Sequence, residues 1–329
     1  MKIWVLKDFK VGSSKQAEFL AKSFTDDVVI KNIEYTKYIK LPNIIKPLKL
    51  GINFKKSDDV LNDNNYPDII IFSGRRLAGL SIYLKKYIYK KSKKTIKLIS
   101  ILNPNYSFKY FDFVVLPTHD KIIKDKYNNI ITFDGSLCIN NLAEKQKDVD
   151  FWTEKLKDYN KPFYSLMVGG NTKKGKLNIE NFKKILELIS KFVKQNNGTL
   201  LISTSRRTPQ HCIDILTKTN INCEYYLYKF GETSVINPYY AFIGLSDIVF
   251  LTADSISMIA EIATIGKPIY AYKPQELLEE KHNKFCNLLI NKKIIQEIRV
   301  GDSINDINAF QFEKPNELEY VKNEILKRI

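Results

Sequence analysis

Arginine is scarce in this chain. It stands only at Arg75, Arg76, Arg206, Arg207, Arg299 and Arg328, and lysine makes up the rest of the 52 basic residues. Ile and Asn are abundant, a usage that resembles the coding of an AT-rich genome. The net charge of +16 therefore reads as solvated lysine surface rather than a nucleic-acid-binding stripe, and what survives is a weak, peripheral attraction to anionic membrane. Cysteine is equally sparse: Cys138, Cys212, Cys223 and Cys286 lie far apart with no C-x-x-C pair, which excludes a zinc or dithiol motif and leaves reduced structural thiols. His119, His211 and His282 share no metal-ligand spacing with Asp or Glu, so no metal and no cofactor is expected. No stretch reaches the roughly 18 uncharged apolar residues of a membrane span, and the start MKIWVLKDFK runs straight into a strand-like segment, which predicts a cytoplasmic location. There is no short-period repeat or low-complexity tract.

What the chain does have is apolar content, 44% hydrophobic and 12% aromatic over 329 residues, enough for two cores and against general disorder. Strand and helix patterns alternate through it. Strands are predicted at Ile3 to Leu6, Val28 to Ile30, Asp68 to Phe72, Ile96 to Leu102, Phe113 to Leu116 and Asn129 to Thr132, with helices from Ser14 to Ser23 and Leu77 to Lys90. The run DIIIF between Pro67 and Gly74 has the continuous apolarity of a strand buried on both faces of a parallel sheet. A charged stretch, Leu142 to Lys161, interrupts the alternation with a connecting helix, and the pattern restarts with strands at Phe163 to Val168, Leu200 to Thr204, Ile248 to Leu251 and Ile269 to Tyr272, and helices Ile179 to Gln195 and Ser255 to Ile265. Gly266 stops the last of these helices and Pro268 keeps it stopped. The pattern predicts two Rossmann-like, doubly wound α/β domains facing a central cleft. They would comprise residues 1–145 and 146–329, with the last helix free to pack back on the first domain.

Ligands of such sheets bind beyond the carboxyl ends of the strands, so the loops there hold the candidate site. After the first strand come Asp8, Gly12 and Gln16 in a turn that opens a helix; its other reading is a plain turn capped by Ser13 or Ser14. After DIIIF come Ser73, Gly74, Arg75 and Arg76, and after the second strand of the second half come Ser205, Arg206, Arg207, Thr208 and Pro209. Two arginine pairs at equivalent strand ends offer planar donor forks for phosphate or carboxylate, against the plainer reading of surface ion pairs. Gly169 and Gly170 start a Gly- and Lys-rich loop without the G-K-[ST] ending of a P-loop, which leaves a backbone nest for a diphosphate. Asp254 or Ser255 caps a helix whose N-terminus is anion-attracting, and Glu261 further along is a candidate for ribose hydroxyls, a partner for Lys267 or a satisfied helix residue. Asp8 and His119, the latter in LPTHD, compete for the role of general base.

Taken together, WVLKD with Gly12 and Gln16, SGRR, LPTHD, the GG loop, TSRRTP, NPYYAFIGLSD and TADSISMIAEIATIGKPIY resemble the mitochondrial-fission elongated-mitochondria family. That family comprises plant proteins and bacterial homologues described as candidate glycosyltransferases. The likeness runs from residue 3 to about residue 275. It implies a fold similar to GT-B enzymes, with the donor on the C-terminal domain and the acceptor on the N-terminal one. By position, Gly169, Gly170, Ser205, Arg206, Arg207, Asp254, Ser255 and Glu261 would form the donor side. Gly12, Gln16, Ser73, Gly74, Arg75 and Arg76 would form the acceptor side, with Asp8 or His119 catalytic. The chain departs from its relatives at Ile101 to Asn105, where they carry a Gln-Asp-Pro-like turn, and at Ala260, where many have Ser.

The expected activity is metal-free transfer of a sugar from a nucleotide sugar to a cell-envelope glycan or lipid-linked acceptor. Two other readings remain: a non-catalytic adaptor in membrane or organelle organisation, and a nucleotide-sugar epimerase, which needs no acceptor.

Overall fold

The computed structural model describes residues 1–41, 48–63, 65–120, 127–139, 142–218 and 221–329. They form two compact units, one of residues 1–138 and 316–329, the other of residues 139–315.

The first unit holds β1 (Ile3–Lys7), α1 (Val11–Phe24), β2 (Val28–Asn32), β3 (Ile69–Ser73), α2 (Arg75–Ser92), β4 (Lys97–Ile101), β5 (Phe113–Pro117) and β6 (Ile130–Phe133). The strands pair in the order β2-β1-β3-β4-β5-β6, all parallel. The central strand β3 is buried along its whole length, the physical reason DIIIF has no polar alternation. Ile70 and Phe72 share a core with Leu77, Ala78, Leu80 and Leu84 of α2. Because side chains alternate along a strand, Ile69, Ile71 and Ser73 face the opposite side, the one α1 covers. The chain returns to this unit at its end as α9 (Glu317–Leu326), where Glu317 accepts from the Asp134 N–H at 2.8 Å and Arg328 donates to the Asn128 carbonyl at 3.3 Å.

In the second unit, α3 (Gln146–Lys155) precedes β7 (Phe163–Val168), α4 (Ile179–Gln195), β8 (Thr199–Thr204), α5 (Gln210–Lys218) and β9 (Glu224–Tyr228). Then come α6 (Tyr239–Leu245), β10 (Ile248–Thr252), α7 (Ile256–Ile265), β11 (Ile269–Tyr272), α8 (Glu280–Asn291) and β12 (Gln296–Ile298). Its parallel sheet runs β12-β11-β10-β7-β8-β9. Helix α4 shows why these elements form: Asn178 caps it by accepting the Asn181 N–H at 2.9 Å, and Phe182, Ile185, Leu186, Ile189, Phe192 and Val193 bury one face in the core. Each such side chain contributes about 1.5–3 kcal/mol, and Leu186→Ala would cost about 2–5 kcal/mol. Helix α7 ends where expected, on Gly266 at φ 91° with its N–H bonded to the Ile262 carbonyl.

The predicted strands are all present; β9 and β12, and helices α5, α6 and α8, add to them. Among the described residues no helix is long and apolar enough to cross a membrane.

Candidate functional site

Each sheet reverses its winding direction at one place, between β1 and β3 in the first unit and between β7 and β10 in the second. At such a switch point the strand-to-helix loops diverge to opposite faces and leave a crevice at the carboxyl edge. Nearly all the predicted residues lie at these two edges.

In the second unit the loops after β7, β8 and β10 are tied into one knot. The Asp254 carboxylate, fully buried, accepts from the Gly170 N–H at 3.2 Å and the Thr252 hydroxyl at 2.8 Å, and pairs with Arg207 Nη2 at 2.8 Å. Thr252 in turn accepts the Gly169 N–H at 2.7 Å. Thr208 donates to the carbonyls of Val168 and Gly169 at 2.8 and 2.7 Å, while Ser205 takes the Arg207 N–H at 3.2 Å. Both glycines are required by contact. A Cβ at Gly169 would fall 1.8 Å from Asp254 Oδ1, and one at Gly170 would fall 1.8 Å from the Arg207 carbonyl.

This corrects the nest reading of Gly169 and Gly170: their N–H groups are spent on Thr252 and Asp254 rather than turned to a ligand. It also corrects Asp254, whose charge is consumed internally. The lysine-rich loop that follows is fastened as well, because Lys174 Nζ donates to the Gln275 and Leu278 carbonyls at 2.7 and 2.6 Å and Thr172 to the Leu277 carbonyl at 2.8 Å.

What the knot presents outward is cationic. Arg207 is held at one end by a buried carboxylate and remains 42% exposed, and Arg206 beside it is exposed. Ser255, not Asp254, caps α7, accepting the Met258 N–H at 3.4 Å; the first N–H groups of such a helix have no intrahelical partner and draw anions. Further along α7, Glu261 accepts from the Tyr239 and Tyr240 hydroxyls at 3.1 and 3.3 Å, which makes it a satisfied helix residue. Thr252, Tyr239 and Tyr240 are not singled out by sequence reasoning because a hydroxyl at the end of an apolar strand or on a short helix carries no pattern of its own.

In the first unit, Asp8 is 9% exposed and its carboxylate accepts from the Lys10 N–H at 2.9 Å, the Ser14 hydroxyl at 3.4 Å and the Tyr35 hydroxyl at 3.1 Å. Burial first, and then the Asp8 charge, pushes the Tyr35 phenol far above its ordinary range, so it stays protonated and a donor. Neither Ser13 nor Ser14 caps α1: Lys10 is its N-cap and Ser14 faces back to Asp8. Phe9 projects outward, 69% exposed, with the Arg76 guanidinium 5.0 Å over its ring and Tyr35 edge-on at 6.1 Å. Gln16 is corrected from the acceptor side. It is 8% exposed and accepts the Leu137 N–H at 3.1 Å, bracing the segment after β6. Gly12 and Gly74 border open space, and Gly74, at φ 77°, turns β3 into α2. Arg75 is exposed and Arg76 half-buried at the start of α2. His119 sits half-buried in the turn after β5. Since β5 is three strands from β1, about 14 Å at the usual strand spacing, Asp8 and His119 do not form one catalytic unit.

Among solved structures, the fold is similar to MurG of Acinetobacter baumannii (TM-score 0.52, 12% identity, 99% of this chain and 100% of that one). It is equally similar to the UDP-GlcNAc 2-epimerase of Methanocaldococcus jannaschii (TM-score 0.52, 13% identity, 99% and 100%). These likenesses and the two parallel six-stranded sheets put the fold in the GT-B class. In sequence, the chain is 30% identical to the uncharacterized protein RP120 of Rickettsia prowazekii (strain Madrid E) over 99% of its own length and 98% of that protein's. It is 22% identical to the mitochondrial fission protein ELM1 of Arabidopsis thaliana over 62% of its length and 51% of that protein's. The sequence pattern of the mitochondrial fission ELM1 family matches residues 11–329, and the chain belongs to that family.

Proposed function

We propose that the protein binds a nucleotide sugar at the carboxyl edge of its second sheet and transfers the sugar to a hydroxyl of a glycan or lipid-linked acceptor held by its first unit. The observation that carries this reading is the guanidinium of Arg207, fixed by a buried carboxylate at the switch point, with exposed Arg206 next to it. A pre-oriented cation beside a helix N-terminus is suited to a leaving diphosphate, whose charge grows as the glycosidic bond breaks. A protein of similar fold, the UDP-GlcNAc 2-epimerase of Methanocaldococcus jannaschii, supplies the ligand class. Asp8, with three donors already on its carboxylate, orders the β1 loop.

Calorimetric titration of nucleotides and nucleotide sugars into wild type and Arg206→Ala tests the proposal. One diphosphate donor should bind saturably and lose about 1.5–3 kcal/mol in the variant, as for a hydrogen bond to a charged group. Interconversion of the donor sugar without acceptor would assign an epimerase. Silence across the whole panel would assign a non-catalytic adaptor.

A further inference from the structure

Asp and Glu number 36 in the chain, yet none stands between Asp68 and Asp112, a stretch that carries eight lysines. The fold gathers much of that charge around one groove of the first unit. Helix α2 buries Leu77, Leu80, Leu84 and Ile88. On its other side the spacing of three and four residues lines up Lys86, Tyr89 and Lys90, all exposed. Lys93, the C-cap, follows them and sets its Nζ 5.7 Å over the Tyr89 ring. Facing this stripe are exposed Lys109 and Tyr110, in the short turn Phe108–Tyr110 after β4. The groove between them holds about 420 Å³, and Ile82, Lys86, Tyr89, Thr95, Lys109 and Tyr110 all line it. Its two tyrosines are 54% and 51% exposed. Tyr89 lies about 20 Å along α2 from Arg75 at the helical rise, so the groove is remote from the crevice at the β1–β3 switch point.

The carboxylates that bound the acid-free stretch are already engaged, Asp112 by Lys85 at 2.6 Å and Asp68 by Lys94 at 2.8 Å. Among the described residues, Lys86, Lys90 and Lys109 meet no carboxylate. Lysines in a last helical turn complement the helix dipole, which accounts for Lys90. It does not account for Lys86, a turn earlier, or for Lys109, on another element.

We infer that this face docks the first unit on the surface of an anionic phospholipid bilayer. An ammonium on a flexible stem is drawn by the density of phosphates rather than by one fixed geometry, and a cluster of such groups is what an anionic leaflet attracts. Tyrosine joins an apolar ring to a polar tip and settles at headgroup level. Ile82, 4% exposed, and the two rings give the groove an apolar lining, with the ammonium groups placed to meet the phosphates around it. No arginine lines the groove, so it lacks the planar fork suited to geometric reading of phosphates along a polynucleotide. The docking stands without the sugar-transfer reading; that it brings the first unit to a lipid-linked acceptor rests on that reading.

Co-sedimentation of the full chain with vesicles of phosphatidylcholine, alone or with about 30% phosphatidylglycerol, at about 0.1 M salt tests the face. Wild type should bind the anionic vesicles and largely ignore the others. Lys86→Gln, Lys90→Gln and Lys109→Gln together should weaken that binding by roughly a hundredfold, about fivefold for each lysine near the surface. The same exchange at Lys184, Lys218 and Lys229, exposed on the second unit, should weaken it by no more than about twofold. Tyr89→Ser with Tyr110→Ser should weaken it severalfold at unchanged net charge. All of these side chains are exposed, so Tm should hold in every variant. Failure of wild type to bind anionic vesicles overturns the inference, as does equal loss in the two lysine triples, which would mean attraction to the basic surface as a whole. Indifference to the tyrosine exchange overturns the groove as the point of contact. Binding of a single-stranded oligonucleotide that the Lys86, Lys90 and Lys109 exchange abolishes, with vesicles ignored, would reassign the face to nucleic acid. If a nucleotide sugar binds but anionic vesicles do not hold the protein, only the docking fails. If vesicles hold it and no nucleotide sugar binds, only the donor reading fails.

Discussion

Replacing Asp254 by Ala removes the centre of the knot in the second unit, and the cost follows from what is left behind. The Gly170 N–H and the Thr252 hydroxyl lose their acceptor in a buried setting, at about 1–3 kcal/mol each. Arg207 is 42% exposed, so water takes over its charge and its share is small. The sum is about 2–6 kcal/mol, or roughly 4–24 °C in the melting temperature of a unit this size. Asp254→Asn retains an acceptor oxygen and should lose about half as much. The chain has two tryptophans, Trp4 in the first unit and Trp152 in the second, both fully buried. In a Trp4→Phe background, urea unfolding followed by fluorescence therefore reports the second unit. A shift in the Trp152 transition below about 1 kcal/mol, under the cost of even one orphaned group, would refute the claim that the three loops depend on this carboxylate.

Two further outcomes are expected. Burial pushes the Cys212, Cys223 and Cys286 thiols up to about 11, so iodoacetamide at pH 8 should leave them unmodified in the native protein and label them on unfolding, as mass spectrometry would show. Lys267 is held below its ordinary 10.5, chiefly by burial and further by Lys314, with Asp247 opposing. The unfolded chain then binds that proton more tightly, so stability rises with pH from the lowered folded value up to about 10.5. Lys267→Met should flatten that rise and be the more stable protein at pH 7, measured by denaturant titration at several pH values.

The elements most legible in the sequence are those whose residues are buried on both faces. The strands β3, β7, β8 and β10 are buried along their whole length around an apolar centre, and such a run has few other readings. The edge strands β9 and β12 are partly exposed or only three residues long, too short or too mixed to show a period. At the site, the positions were readable and the roles were not. Glycine after a strand signals close approach of something, and the sequence does not say whether that is a ligand or, as for Gly169, a carboxylate 85 residues away in the same unit. The arginine pairs of this Arg-poor chain mark the loops after β3 and β8.

The return of α9 to the first unit sets an order of events during synthesis. A chain emerging from the ribosome completes β1 to β6 early, yet the Glu317 carboxylate that receives the Asp134 N–H, and the Arg328 that reaches Asn128, arrive only after the second unit. The second unit, encoded wholly between these two pieces, is in hand before the first has its closing helix. Of the two units, the one whose translation starts earlier is therefore the one that finishes later.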